Sequence, residues 1–316
     1  MKNQFPSKET IQRALCGIQH KIHKTPVLTS KLINEIIGTS VFFKCENIQK
    51  TGSFKIRGAS YAISQLTKEQ KEKGVITHSS GNFAQAIALA AQRLGVKAYI
   101  VMPKDTSTIK IEAVKNYGGI ITFSESNLAA REQVTQQIQN KTGAFFLHPS
   151  NNLNVIIGQA TCALEFFKHQ PNLDIILVPV GGGGLLAGTA LSNYYFNKNG
   201  QVIGAEPAAV NDAFRSLKSG LIETNKTTNT IAEGLKTHLG AINFPIIQEL
   251  VDHIICVNEP EIIHAMKLIW ERMKIIVEPS SAVPLAALVK EKKQFKNKKV
   301  GIILSGGNVN LSQLPF

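Results

Sequence analysis

Four consecutive glycines, Gly181 to Gly184, stand directly after the apolar run DIILVPV (174–180) and before a stretch of helical periodicity. At such a junction, residues without Cβ let successive backbone N–H groups converge on an anion, and the helix N-terminus adds its dipole. A phosphate is the natural guest; without one, the run is a tight turn. Gly182, Gly184 and Ala187 satisfy G-x-G-x-x-A, and Glu206 ends the next apolar run about twenty residues on. Alone, those residues outline a dinucleotide site with an acid for the ribose, and hence an NAD-binding oxidoreductase.

A second candidate is KTGSFKIRGA, Lys50 to Ala59. Gly52-Ser53 reads as a helix opening, with Lys55 in the first turn. A lysine there faces the positive end of the dipole, so its ammonium is disfavoured and its amine is easier to use as a nucleophile. The plainer reading is an exposed surface lysine. A third candidate is THSSGNFAQA, Thr77 to Ala86, where hydroxyls and helix N–H groups would suit a carboxylate. Its plainer reading is a Ser/Asn helix cap. His78-Ser79-Ser80 is no serine-hydrolase signature, because no G-x-S-x-G elbow occurs. LSGGN (304–308) puts Ser305 at another strand end. Metal signals are thin: no HExxH occurs, His20 and His23 read as surface residues, and Glu206 with Asp212 could bind a hard cation with help from a backbone carbonyl.

The elements that must position these residues alternate. Strands are predicted at 74–80, 97–103, 119–123, 144–147, 174–180, 201–206 and 299–305. Helices are predicted over 82–94, 107–117, 126–141, 184–196 and 260–273, with another from Pro279. Alternation of this kind predicts parallel sheets covered by helices on both faces, here two such sheets. HPSNNLN (148–154) is the composition break nearest a boundary.

The 316 residues are enough for about two domains. With 43% hydrophobic and 18% charged residues, the composition excludes a disordered chain, a collagen-like fibre and a disulfide-stapled mini-domain. No apolar run is long enough to span a membrane, the polar start MKNQFPSKETIQ has no signal core, and the four scattered cysteines read as reduced core thiols. A cytoplasmic protein is expected. The net charge of +13 is lopsided: residues 1–73 hold 13 basic and 5 acidic groups, and 290–299 hold six lysines and one glutamate. That excess raises a nucleic-acid-binding reading, but no aromatic-interleaved basic motif supports it, and a solvated lysine face is the alternative.

In their order, TPVLTS (25–30), FFKCEN (42–47), QKTGSFKIRGA (49–59), THSSGN (77–82), VPVGGGG (178–184), AEP (205–207), WERMK (270–274), EPSSA (278–282) and LSGGNV (304–309) resemble the fold type II pyridoxal phosphate enzymes. Within that group the chain is most similar to serine racemases and the short serine/threonine dehydratases, over nearly its whole length. The resemblance implies an α/β, tryptophan synthase beta-like fold of two open twisted sheets. It implies a large cofactor-binding domain from 1–73 and 148–316, and a small closure domain from 74–147. No regulatory domain of the biosynthetic threonine dehydratase kind is expected after LSGGNV.

It also implies roles. Lys55 would carry pyridoxal 5'-phosphate covalently, with Phe54 against the ring, Asn82 on the ring hydroxyl, Gly181, Gly182, Gly183 and Gly184 on the phosphate, and Ser305 facing the ring nitrogen. Ser79, Ser80, Gly81 and Asn82 would bind the substrate carboxylate. Arg131 would take part in substrate-linked closure, and Ser80 would be the acid/base opposite Lys55. Glu206, the Val210 carbonyl and Asp212 would hold a divalent cation, Mg or Mn. Lys50, Thr51, Lys274 and Asn308 match positions around an ATP effector site of animal serine racemases. A small amino-acid substrate and a homodimer follow, with no nucleic acid or membrane partner. The chain departs from the pattern at Phe83, Glu233, Ser150 and Asn151, which leaves substrate choice open.

The expected reaction is β-elimination by a serine/threonine ammonia-lyase giving a 2-oxo acid and ammonia. Racemisation of serine would share its first proton transfer. The alternatives are a primary serine racemase, or a lyase or racemase for 3-hydroxyaspartate or aspartate.

Overall fold

The computed structural model describes residues 5–316. Ten strands form two sheets: β1 Val27–Leu28, β2 Ser40–Cys45, β3 Val75–His78, β4 Ala98–Pro103, β5 Ile120–Ser124, β6 Phe145–Phe146, β7 Ile175–Pro179, β8 Gln201–Pro207, β9 His253–Val257 and β10 Lys299–Leu304. The six-stranded sheet runs β1-β2-β10-β7-β8-β9 and the four-stranded sheet β5-β4-β3-β6. Every pairing is parallel except β1 with β2.

Alternation along each strand explains why both sheet faces are covered. Ile175 and Leu177 of β7 enter one apolar core, and Ile176 and Val178 enter another on the opposite face. In the smaller sheet, Val75, Ile100 and Met102 face one core while Ile76 and Val101 face a second. Side chains of successive strand residues point to opposite faces, so a strand apolar throughout must be covered twice.

The predicted strands and helices are present, with ends shifted by a residue or two. Sequence reading missed β1, β2 and β9, and the helices Lys8–Ile18, Lys31–Ile37, Lys68–Lys73, Leu153–His169, Asp212–Ser219 and Phe244–Leu250. The helix Leu153–His169 is almost wholly buried. It packs against the helix Lys55–Ser64. A Cβ on Gly158 would run into the Gly58 backbone, one on Gly58 would meet the Gln159 and Val155 side chains, and Gln159 Oε1 accepts the Gly58 N–H at 3.2 Å.

Beneath that crossing lies a buried ion cluster. The Arg57 guanidinium reaches both carboxylate oxygens of Glu46 at 2.7 Å and Glu165 at 2.6 Å, and Lys44 Nζ lies 3.3 Å from Glu165. The lysine run near the C-terminus is exposed apart from Phe295, in keeping with a solvated face. His20 and His23 are exposed, as expected. The cysteine expectation needs correcting: Cys45 and Cys162 are buried, but Cys16 is exposed and Cys256 only half-buried, because Cys16 falls on the outer side of its amphipathic helix.

Candidate active site

The candidate residues gather at the carboxyl ends of parallel strands, where open α/β sheets place their ligand crevices. Gly181 follows β7, Ser305 follows β10, and Ser79 follows β3. Thr51 and Gly52 both have positive φ, 62° and 68°, which reverses the chain before Lys55. Ser53 then lies extended and bridges Gly306, while the Phe54 N–H donates to the Ser305 carbonyl at 3.0 Å. The helix therefore opens at Lys55, two residues later than the sequence suggested.

The Lys55 stem is half-buried and its amine is enclosed. Nζ donates to the Pro149 carbonyl at 3.1 Å and lies 5.0 Å from the Phe54 ring centre and 5.7 Å from that of Phe83. Burial pushes its pKa down to about 8, with Glu278 pulling the other way. This is no surface lysine.

The next residue along from Pro149 touches the glycine loop. A Cβ on Gly182 would run into Ser150 Oγ, and one on Gly184 would come 3.0 Å from Ser150 Cα. Gly183 adopts φ 77°, and the helix Gly184–Phe196 follows without any side-chain cap. Among the described residues no acceptor takes up the N–H of Gly181, Gly182, Gly183 or Gly184. Four free N–H groups at a helix N-terminus are an anion cradle.

The Ser/Asn cap reading fails at THSSGN. Gly81 is the N-cap of Asn82–Arg93 and no side chain caps that helix. The Ser79 and Ser80 hydroxyls are half-buried, and neither serves as that cap. Asn82 Nδ2 donates to both oxygens of Glu278 at 3.0 Å, and Oδ1 accepts from Asn308 Nδ2 at 2.8 Å, which also reaches the Thr51 carbonyl. Burial raises the Glu278 carboxyl to about 7. Ser305 Oγ lies 3.1 Å from Ser281 Oγ, whose hydrogen goes to the Gly306 carbonyl.

On the smaller-sheet side, burial lowers the His78 pKa, reinforced by nearby Arg131. Arg131 Nε is buried and has no hydrogen-bond partner. Burial takes His148 down to about 4, helped by His78 and Lys55.

The enclosed amine and the open cradle, joined through Pro149-Ser150, suit an aldehyde-bearing phosphate. The sequence pattern described as "Pyridoxal-phosphate dependent enzyme" matches residues 18–306. The chain belongs to the pyridoxal-phosphate dependent enzyme family. The chain is 50% identical over 310 residues to a serine racemase of Dictyostelium discoideum, covering 96% of this chain and 95% of that protein. The crystal structure of serine racemase from that organism superposes with a TM-score of 0.92, covering 96% of this chain and 98% of the other. A beta-hydroxyaspartate dehydratase of Paracoccus denitrificans is 42% identical over 312 residues, covering 99% of each.

This pyridoxal phosphate enzyme has residues that fit its cofactor. Lys55 would offer an amine to the aldehyde and the glycine loop would offer donors to the phosphate. The dinucleotide reading is overturned by the family and by Glu206 itself. Both Glu206 oxygens accept backbone N–H groups, from Ala213 at 3.0 Å and Phe214 at 2.9 Å. Glu206 and Asp212 are fully buried, and burial raises both carboxyls, Glu206 to about 8. Among the described residues no group of three or more His, Cys, Asp or Glu could hold a metal, so a cation there would need backbone oxygens such as that of Val210.

Phe83 is buried beside Lys55. Glu233 pairs with Lys110 at 2.6 Å, joining the loop beside Gly181 to the helix Thr108–Asn116 of the smaller-sheet region. Asn151 Oδ1 accepts the Ile242 N–H at 2.8 Å. Of the residues matched to a nucleotide site, Thr51 and Asn308 are in contact. Sequence reading gave no role to Glu278, Pro149 or His148. The run EPSSA contained the first, but nothing local marks a glutamate that will be buried against an asparagine 196 positions away.

Proposed function

We propose that the chain is primarily a serine racemase that also eliminates water and ammonia from serine. This reverses the order expected from the motifs, where the lyase came first. The observation that carries the choice is the 50% identity to a serine racemase along nearly the whole chain, together with Lys55 and Ser80 at the matching motif positions.

When bound, pyridoxal phosphate would withdraw electrons from the substrate's Cα. The chain's residues would do the rest. The free N–H groups of Gly181–Gly184 would hold the phosphate, with Phe54 and Phe83 flanking the lysine. Ser79, Ser80, Gly81 and Asn82 would orient the substrate carboxylate with the helix N-terminus and the serine O–H groups, the Ser79 oxygen meanwhile accepting the Gly81 N–H at 3.4 Å. Lys55 Nζ, with a pKa near 8, gives up its extra proton more readily than an exposed lysine and would accept the Cα proton on one face. Ser80 Oγ would deliver a proton to the other face. Ser305, a hydroxyl, would offer the ring nitrogen a hydrogen bond without a full charge.

One observation favours a second reading, an acidic substrate such as 3-hydroxyaspartate. The buried Arg131 Nε has no partner, and a second carboxylate would satisfy it. The 42% identical beta-hydroxyaspartate dehydratase is consistent with that.

The proposal extends to a large domain of 1–73 and 148–316 and a small domain of 74–147 that closes over substrate. It includes a divalent cation at Glu206, Val210 and Asp212, nucleotide activation near Thr51 and Asn308, a homodimer, and residence in the cytoplasm. The deciding experiment is incubation with L-serine, D-serine, L-threonine and hydroxyaspartate isomers, scoring oxo acid and chiral products separately. Inverted serine supports the proposal. Oxo acid from hydroxyaspartate with no inversion of serine replaces it with the second reading.

A further inference from the structure

His148 holds a turn with a single nitrogen. Its Nδ1 lies 2.8 Å from the Asn151 N–H and 3.2 Å from the Ser150 N–H. A ring nitrogen that accepts carries no proton, so the ring is neutral with its hydrogen on Nε2. Between His148 and these donors stands Pro149, which has no N–H to donate and whose ring fixes φ. Its carbonyl is the acceptor for Lys55 Nζ, 94 residues away in sequence. The same turn reaches the glycine loop: the Ser150 carbonyl accepts from Asn243 Nδ2 at 3.1 Å, and that nitrogen also donates to the Gly182 carbonyl at 2.8 Å.

We propose that His148 is a positioning residue: by holding the 148–151 turn it aims the Pro149 carbonyl at Lys55 and sets the lysine's distance from the glycine cradle. A lysine released by the incoming substrate amine needs an acceptor for one N–H, so that its lone pair is presented in one direction rather than swept over several rotamers. Pro149 O is that acceptor, and only a fixed turn makes it directional. The depressed pKa of His148 is consistent, since an imidazolium would carry a proton where two N–H groups must be accepted. The inference rests on Lys55 being the cofactor-bearing amine.

The test compares two holoenzyme variants. His148→Phe keeps the ring and its edge-on packing against Phe146 and His78, at 6.2 and 6.4 Å, but cannot accept. His148→Asn is smaller but offers a carbonyl oxygen to the N–H groups two and three residues on, as asparagine does in local turns. The phenylalanine variant should lose between about 10- and 100-fold in kcat, shift the base limb of the pH–rate profile, and bind pyridoxal phosphate more weakly by fluorescence titration. The asparagine variant should restore the profile and the affinity to near wild type. An unchanged pH profile and cofactor affinity in the phenylalanine variant overturns the proposal, as does an asparagine variant equally impaired at an unchanged Tm. Should the phenylalanine variant not fold, the asparagine variant decides alone: a wild-type profile supports the role and a shifted one overturns it. Borohydride reduction and peptide mapping of the wild type tests the underlying assignment separately, because label on another lysine removes the Lys55 reading whatever the His148 variants do.

Discussion

The Asn82 amide nitrogen lies 3.0 Å from both carboxylate oxygens of Glu278, across 196 residues of sequence. With Asn308 Nδ2 on its carbonyl oxygen, the Asn82 amide is held in one orientation at the head of its helix. Glu278→Gln keeps an acceptor there and Glu278→Leu removes it. The leucine variant should bind pyridoxal phosphate roughly tenfold more weakly, about the value of one lost buried hydrogen bond, while the glutamine variant stays close to wild type. Stability adds a signature. The raised pKa of Glu278 gives stability that is full below about 4.5 and is lost as pH rises through about 7. Against wild type, Glu278→Gln should therefore gain Tm at pH 8 relative to pH 4.5.

Lys55→Met should abolish both reactions and the yellow colour of the cofactor complex, yet stabilise the cofactor-free protein at pH 7 by about 2 kcal/mol. The folded protein resists charging Lys55 between its lowered value of about 8 and the ordinary 10.5. The penalty is full below pH 8 and fades as pH rises toward 10.5. Urea unfolding of both proteins at pH 7 and pH 10 should show the difference shrink.

Ser80→Ala should reduce racemisation of serine by more than about 100-fold while leaving oxo-acid formation within a few-fold of wild type. Chiral chromatography and a ketone assay on the same samples separate the two. Retained racemisation would remove Ser80 from its role.

Mg²⁺ or Mn²⁺ should raise Tm, by the equivalent of about 2.7 kcal/mol at a hundredfold excess over Kd. The buried Glu206 prefers its proton up to about pH 8, so the cation competes with protons and its effect should grow from pH 6 to pH 8. Glu206→Gln and Asp212→Asn should each remove the response; a response that survives both places the cation elsewhere.

Glu46→Gln should destabilise the protein by about 3–5 kcal/mol, because it strips a carboxylate from a buried guanidinium. Arg57→Lys should also be costly, since an ammonium cannot fork to Glu46 and Glu165 together. The folded-state pKa of Glu46 is lowered by Arg57 despite its burial. The stability it gives is present above its ordinary 4.5 and is lost as the solution is acidified, so the penalty should narrow in acid.

Much of this was legible in the chain. Alternating apolar runs and amphipathic stretches placed the four strands of the smaller sheet, and VPVGGGG marked the cradle, because those signals are local: strand periodicity and a lack of Cβ act within a few residues. The helix Leu153–His169 was missed because, unlike the comparably buried helix Gly184–Phe196, no glycine run marks its start. Glu278 was missed because nothing near it in sequence shows that it will face Asn82.

By itself the sequence determined which groups are available: an amine at 55, hydroxyls at 79, 80 and 305, and four glycines with nothing beyond their backbone. Tertiary structure alone decided their states. It enclosed Lys55 so that its charge is disfavoured, put the Pro149 carbonyl against its amine, committed Asn82 to Glu278, and left the Ser79 and Ser80 hydroxyls out of the helix cap. The reason is physical: residue type fixes which bonds a group can make, but desolvation and partner identity exist only once segments about a hundred or more residues apart are packed together.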